Sequence, residues 1–172
     1  MVLSNQSCYG QRFRLLRLAM GKTVKEMAAV LNVTVSVYRA SENREENQVR
    51  TSQEVLDLCS ESGVDKYWLM QGIGKIQDQE LIYRYINQIA SGDVSERIVF
   101  LREFYGISAK EILEHTAISS YYTLRRLEDH KRLYDKAFII SFLELLPDPF
   151  TYDSVAGGKK EFIDRLVEIC DG

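Results

Sequence analysis

Apolar residues recur at three- and four-residue intervals along most of this chain, separated by short polar breaks that carry helix-capping residues. Phe13, Leu16 and Met20 fall on one helical face, and Gly21 closes that segment. Thr23 with Glu26 three residues on has the spacing of a capping box, and Met27, Ala28 and Leu31 form the inner stripe of the helix it starts. After a short turn at Asn32 and Val33, Thr34 starts a third helix with Tyr38 and Ser41 inward. A polar loop from Glu42 to Thr51 leads to two further helices, Ser52–Glu61 and Lys66–Met70.

Leu81, Ile82, Tyr85, Ile86 and Ile89 make an apolar stripe on a helix from about Asp78 to Ala90, ended by Ser91 and Gly92. Beyond it the capped pattern starts again. Ser108 with Glu111 repeats the capping box, and Ile112, Leu113 and Thr116 repeat the stripe. Ser120 caps the next helix, with Leu124 and Leu127 inward. Phe138, Ile139, Phe142, Leu143 and Leu146 belong to a later helix, stopped by Pro147 and Pro149. The stretch Asp153–Lys159 reads as a loop, and Lys160–Cys170 as a final amphipathic helix with Phe162, Ile163, Leu166 and Ile169 inward. Alternating strand patterns are few, so the expected fold class is all-α.

The renewed pattern is a duplication. QRFRLLRLAMG (11–21) aligns without a gap on ERIVFLREFYG (96–106), placing Arg12 on Arg97, Leu16 on Leu101, Arg17 on Arg102 and Gly21 on Gly106. The register continues to YRASE (38–42) and LRRLE (124–128), with one extra residue in the second turn, at Ala117-Ile118-Ser119. A repeat of this length suits a small domain better than a solenoid unit. The expected organisation is therefore a domain over 9–72, a connecting helix over 73–92, a second and divergent domain over 93–150, and a C-terminal loop and helix over 151–172.

Composition narrows the function. The net charge of −3 over 172 residues gives no global pull toward nucleic acid or membrane, so any such binding must be local. Cys8, Cys59 and Cys170 are odd in number and far apart, which suits neither a metal site nor a disulfide framework and fits a reducing, cytoplasmic setting. No run is apolar enough for a signal peptide or a membrane span. A catalytic set is not visible. His115 and His130 are isolated, with His115 read as a satisfied structural histidine, and Gly157-Gly158-Lys159 lacks phosphate-loop spacing. Neither an enzyme nor a cofactor or metal site is expected.

A helix, a short turn and a second capped helix make the arrangement that places one helix in the major groove of DNA while the other crosses the backbone. The segment GKTVKEMAAVLNVTVSVYRASEN (21–43), followed by SGVDKYWLMQG (62–72), resembles the lambda repressor/Cro-like helix-turn-helix family, often called the XRE family. GISAKEILEHTAISSYYTLRRLE (106–128) is a more divergent likeness, without the Trp-Leu ending. The resemblance implies two tandem lambda-repressor-like domains. It also implies structural ion pairs, Arg17 with Glu42 and Arg102 with Glu128, tying the first helix of each unit to the third. Base-reading positions fall on Val35, Ser36, Arg39 and Ala40 in the first unit and on Tyr121, Tyr122, Arg125 and Arg126 in the second. The phosphate-anchoring Gln common in the family is Val24 in one unit and Ala109 in the other.

Arginine can donate twice to guanine O6 and N7, whereas Val and Ala offer at best contact with a thymine methyl. The flanks differ in the same sense. The first unit follows its third helix with Glu42, Glu45 and Glu46 against Arg44 and Arg50; the second has Arg125, Arg126, Lys131, Arg132 and Lys136 against Glu128, Asp129 and Asp135. Phosphate contacts supply much of the affinity for DNA. The expected function is thus a sequence-specific DNA-binding transcriptional regulator, a repressor, reading double-stranded DNA mainly with the third helix of the second domain. At least one of Tyr121 and Tyr122 is expected to pack against its domain. The alternative is a protein-interaction module on the same fold, an antirepressor or antitoxin-like partner. The connecting helix and the C-terminal helix suit either a homodimer surface or inter-domain packing.

Overall fold

Side-chain caps set most of the helix starts. The computed structural model describes residues 8–43, 52–129, 134–148 and 150–171. Their regular structure is all helical, with no strand among them. In chain order the helices are α1 Tyr9–Ala19, α2 Val24–Val30, α3 Val35–Glu42, α4 Gln53–Ser62, α5 Lys66–Gln71, a 3-10 turn Ile76–Asp78, α6 Glu80–Ser91, α7 Val94–Tyr105, α8 Ala109–His115, α9 Tyr121–Glu128, α10 Lys136–Leu143, α11 Tyr152–Ala156 and α12 Lys159–Asp171. None is long and apolar enough to cross a membrane.

The backbone groups into two compact units, residues 1–86 with 166–172 and residues 87–165; α6 and α12 each contribute residues to both. Both capping boxes form. Glu26 Oε2 accepts the Thr23 N–H at 2.8 Å while Thr23 Oγ1 accepts the Glu26 N–H at 3.2 Å; Ser108 and Glu111 repeat this at 2.7 and 3.2 Å. Each exchange satisfies two amide donors that the first helical turn leaves open.

In the first unit Phe13 stacks on Tyr9 and meets Tyr38, with ring centroids 5.2 and 5.7 Å apart. Leu16, Met27, Leu58, Trp68 and Leu69 are fully buried around them. The inner stripe of α3 is Tyr38 and Glu42 rather than Tyr38 and Ser41. Ser41 is half-buried and returns its hydroxyl to the Val37 carbonyl, a local bond that keeps it at the helix edge. The last turn of α12 belongs to this unit, where Asp171 Oδ1 accepts the N–H of Ile76 at 2.7 Å.

The second unit is built on phenylalanine. Phe100 stacks on Phe104 at 5.7 Å and meets the edge of Phe162 at 6.1 Å, and Ile112, Phe142 and Val155 are fully buried. The stretch expected as a loop over 153–159 opens with a helix, α11, instead. Thr151 and Ser154 form its capping box, with Ser in the place where Glu or Gln is usual.

The two interhelical turns differ. Gly21 and Gly106, matched in the duplication, both take left-handed backbone at the ends of α1 and α7, with φ of +63° and +69°. Between α2 and α3 the chain turns through Asn32 at φ +51°, and the Val33 N–H returns to the Ala28 carbonyl at 3.0 Å. Between α8 and α9 the turn is extended at Thr116. Its hydroxyl donates to the Ile112 carbonyl at 2.7 Å and accepts the Ile118 N–H at 3.3 Å. Ile118, in the longer turn, is buried.

Candidate nucleic-acid interface

Among the described residues, the helix α9 is held from one side. Ser120 Oγ accepts the Thr123 N–H at 3.2 Å and fixes the first turn. Leu124 and Leu127 bury the inner face. At the far end Arg102 Nε stands 2.7 Å from Glu128 Oε1, with both side chains about one-fifth exposed. Burial pushes the Glu128 carboxyl above the usual glutamate range, against the pull of Arg102. Burial also raises the Tyr134 phenol, and the charge of Glu128 adds to that shift.

The opposite face is open. Tyr121 is 61% exposed and Tyr122 71%, so neither packs against its domain as expected. Both Arg125 and Arg126 are exposed beside them. Tyr122, Arg125, Arg126 and Asp129 stand at i, i+3, i+4 and i+7, one stripe of an α-helix. Together they line a shallow cleft of about 250 Å³. Arg126 lies over the Tyr122 ring, its guanidinium carbon 5.8 Å from the centroid. Arg125 Nε is 3.9 Å from Asp129 Oδ2. This stripe carries two forked cationic donors, a phenol hydroxyl and one carboxylate, a set able to meet base edges and phosphates. Asp129 counts in the sequence only as an acidic residue opposing the basic flank; its register seven residues after Tyr122 places it on the stripe.

The matching helix of the first unit is also capped and anchored, more deeply at its far end, but carries different chemistry. Thr34 Oγ1 accepts the Val37 N–H at 3.3 Å, and Tyr38 is fully buried. Glu42 is buried among partners: Arg17 Nε at 2.5 Å, Arg14 Nε at 3.4 Å and the Tyr38 hydroxyl at 2.9 Å. Burial and the adjacent Glu42 charge push the Tyr38 phenol up. On the outer face Ser36, Arg39 and Ala40 are exposed and Val35 is half-buried. Val30, Val33 and Val37, 41%, 38% and 53% exposed, add apolar surface to α2, the turn and α3.

Lys131 and Arg132 lie outside the described residues, as does His130. Lys136 is not on the α9 stripe; its ammonium stands 4.9 Å from the centroid of Tyr152. His115 is exposed rather than packed among apolar neighbours, and its Nδ1 lies 2.9 Å from the Glu111 carbonyl of its own helix. Among the described residues, no group of three or more His, Cys, Asp or Glu side chains is placed to hold a metal ion. An open cleft of about 610 Å³ in the first unit is lined in part by Asp65, Tyr67, Ile73 and Gln79. Asp65 there already caps α5 through the Tyr67 and Trp68 amides, and Gln79 already bonds the Asp65 amide.

Sequence reasoning left without a role two buried arginines that tie α1 to α5 and α7 to α6 and α11. Arg12 is 1% exposed and donates from Nε to the Leu69 carbonyl at 3.0 Å. Arg97, its partner in the duplication, donates to the carbonyls of Val155 and Ala90 at 2.8 and 2.7 Å. Comparison with family models, with curated proteins and with solved structures finds no match for this chain.

Proposed function

We propose that this protein is a sequence-specific, DNA-binding transcriptional regulator, a repressor of the lambda repressor/Cro-like kind, reading the major groove mainly with α9. The observation that carries this reading is the outward stripe of α9. Two tyrosines and two arginines stand exposed on a short, capped and well-anchored helix whose inner face alone is committed to the core. Large aromatic side chains left in water mark an interaction surface. Paired arginines beside them suit a polyanion with hydrogen-bonding bases. In this reading α8 crosses the backbone, α9 enters the groove, and the protein works in the cytoplasm.

A second reading rests on the first unit. Its exposed Val30, Val33 and Val37 give that unit an apolar outer surface, which favours a protein partner for it, as in an antirepressor or antitoxin-like module. Selection of random duplex DNA by the purified protein near physiological salt separates the two. An enriched motif with salt-sensitive affinity supports the regulator. Absence of enrichment, with one specific protein co-purifying, supports the interaction module.

A further inference from the structure

We propose that α9 reads a guanine through Arg126, with Tyr122 as the positioning residue that aims it; this rests on the DNA-reading assignment above. The two arginines of the stripe lean in opposite directions. Arg126 reaches back four residues to lie over the Tyr122 ring at 5.8 Å, toward the start of α9. Arg125 reaches forward four residues to Asp129 at 3.9 Å, toward its end. In a helix-turn-helix the N-terminal residues of the reading helix meet the base edges, and its later residues approach the backbone. Arg126 is therefore turned toward the base-reading end, and Arg125 toward the phosphates.

Donor chemistry selects the base. A guanidinium only donates, and it does so in a planar fork. Guanine presents two acceptors, N7 and O6, at the spacing of that fork. Adenine sets an amino donor beside its N7, cytosine offers a donor, and thymine offers one acceptor beside a methyl group. A free arginine loses rotamer entropy on being fixed. The cation–π contact with Tyr122 removes part of that cost before DNA arrives. The first unit lacks both members of the device, since Ala40 stands at the position of Arg126 and Ser36 at that of Tyr122, while Arg39 matches Arg125. Guanine reading of this kind thus belongs to α9 alone.

The test uses the full chain and a short duplex selected from random DNA, with each guanine replaced in turn by 7-deazaguanine, which lacks N7. Affinity is read by fluorescence anisotropy. For the wild type, one guanine should lose at least about 5-fold in affinity when N7 is removed, up to the roughly 150-fold that a whole bidentate contact can supply, since O6 remains. That sensitivity should vanish in Arg126→Ala, shrink in Tyr122→Ala and return in Tyr122→Phe, which keeps the ring face. Both positions are exposed, so these variants keep the fold. Sensitivity that persists in Arg126→Ala, or wild-type binding with no sensitive guanine, overturns the guanine assignment and leaves DNA reading standing. Undiminished sensitivity in Tyr122→Ala overturns the aiming role. If no duplex is enriched and no salt-sensitive binding is found, both the reading and this inference fail.

Discussion

Arg12 gives its Nε hydrogen to the carbonyl of Leu69 at 3.0 Å, joining α1 to the last turn of α5. The helix α5 is only six residues long, so most of its carbonyls have no partner within it. The Gly72 and Ile73 amides serve Trp68 and Tyr67, and Arg12 serves Leu69. Arg97 does the same work in the second unit, closing the ends of α6 and α11 through Ala90 and Val155. A cation at a helix C-terminus is also favoured by the helix dipole. The duplicated arginine is a helix terminator in both copies.

Arg12→Met keeps the buried stem and removes the donor, leaving the Leu69 carbonyl buried without it. The expected cost is about 2–3 kcal/mol, read from urea unfolding followed by the fluorescence of Trp68, the single tryptophan. A midpoint equal to wild type contradicts the terminator role.

The two interhelical ion pairs should differ in worth because they differ in burial. Glu42 is 6% exposed and serves Arg14, Arg17 and Tyr38; Arg102 and Glu128 are 21% and 22% exposed. Glu42→Gln is expected to cost about 3–5 kcal/mol, because it strands buried cations. Glu128→Gln is expected to change stability by less than about 1 kcal/mol, nearer the value of a solvated pair. Equal losses in denaturant titrations contradict this ranking.

Glu128 also sets a pH dependence. Burial raises its carboxyl in the folded state above the unfolded value of about 4.3. The folded protein therefore holds this proton more tightly than the unfolded chain does. Its contribution to stability is fully present below the unfolded value and is lost as pH rises through the folded one. Relative to Glu128→Gln, the wild type should lose stability as pH is raised through that window. A relative gain over the same window contradicts the sign.

Asn32 turns the chain between α2 and α3 at φ +51°. Asn32→Ala is expected to lose about 1 kcal/mol, while Asn32→Gly changes stability by only a few tenths. Thermal melts of the two variants check this, and an equal loss from both contradicts the backbone argument.

Local rules made much of the helix pattern legible in the sequence. Thr23, Thr34, Ser108 and Ser120 cap the helices they were expected to cap, because a cap needs only its own next three residues. The helix α11 was hidden for the same reason. Its capping partner is Ser154, a weak signal between Pro147 and the pair Gly157-Gly158. Arg12 and Arg97 were visible as a matched pair, yet their task was not, since an acceptor of each, Leu69 and Val155, lies 57 and 58 residues away. On the candidate site, register alone placed Tyr122, Arg125 and Arg126 on one face. The opposite lean of the two arginines depends on rotamers that no sequence pattern states. Ser41 was taken for a core position on spacing, and Glu42 holds that place because two arginines and a tyrosine hydroxyl meet its charge.

The most direct measurement is the affinity of wild type and of the Arg125→Ala/Arg126→Ala double variant for a duplex selected from random DNA, across a salt series. Both side chains are exposed, so the variant keeps its fold. The account predicts wild-type binding that weakens steeply with salt, and a variant that loses at least tenfold in affinity with a shallower salt slope. Equal affinity and equal slope for the two proteins would contradict α9 as the reading helix.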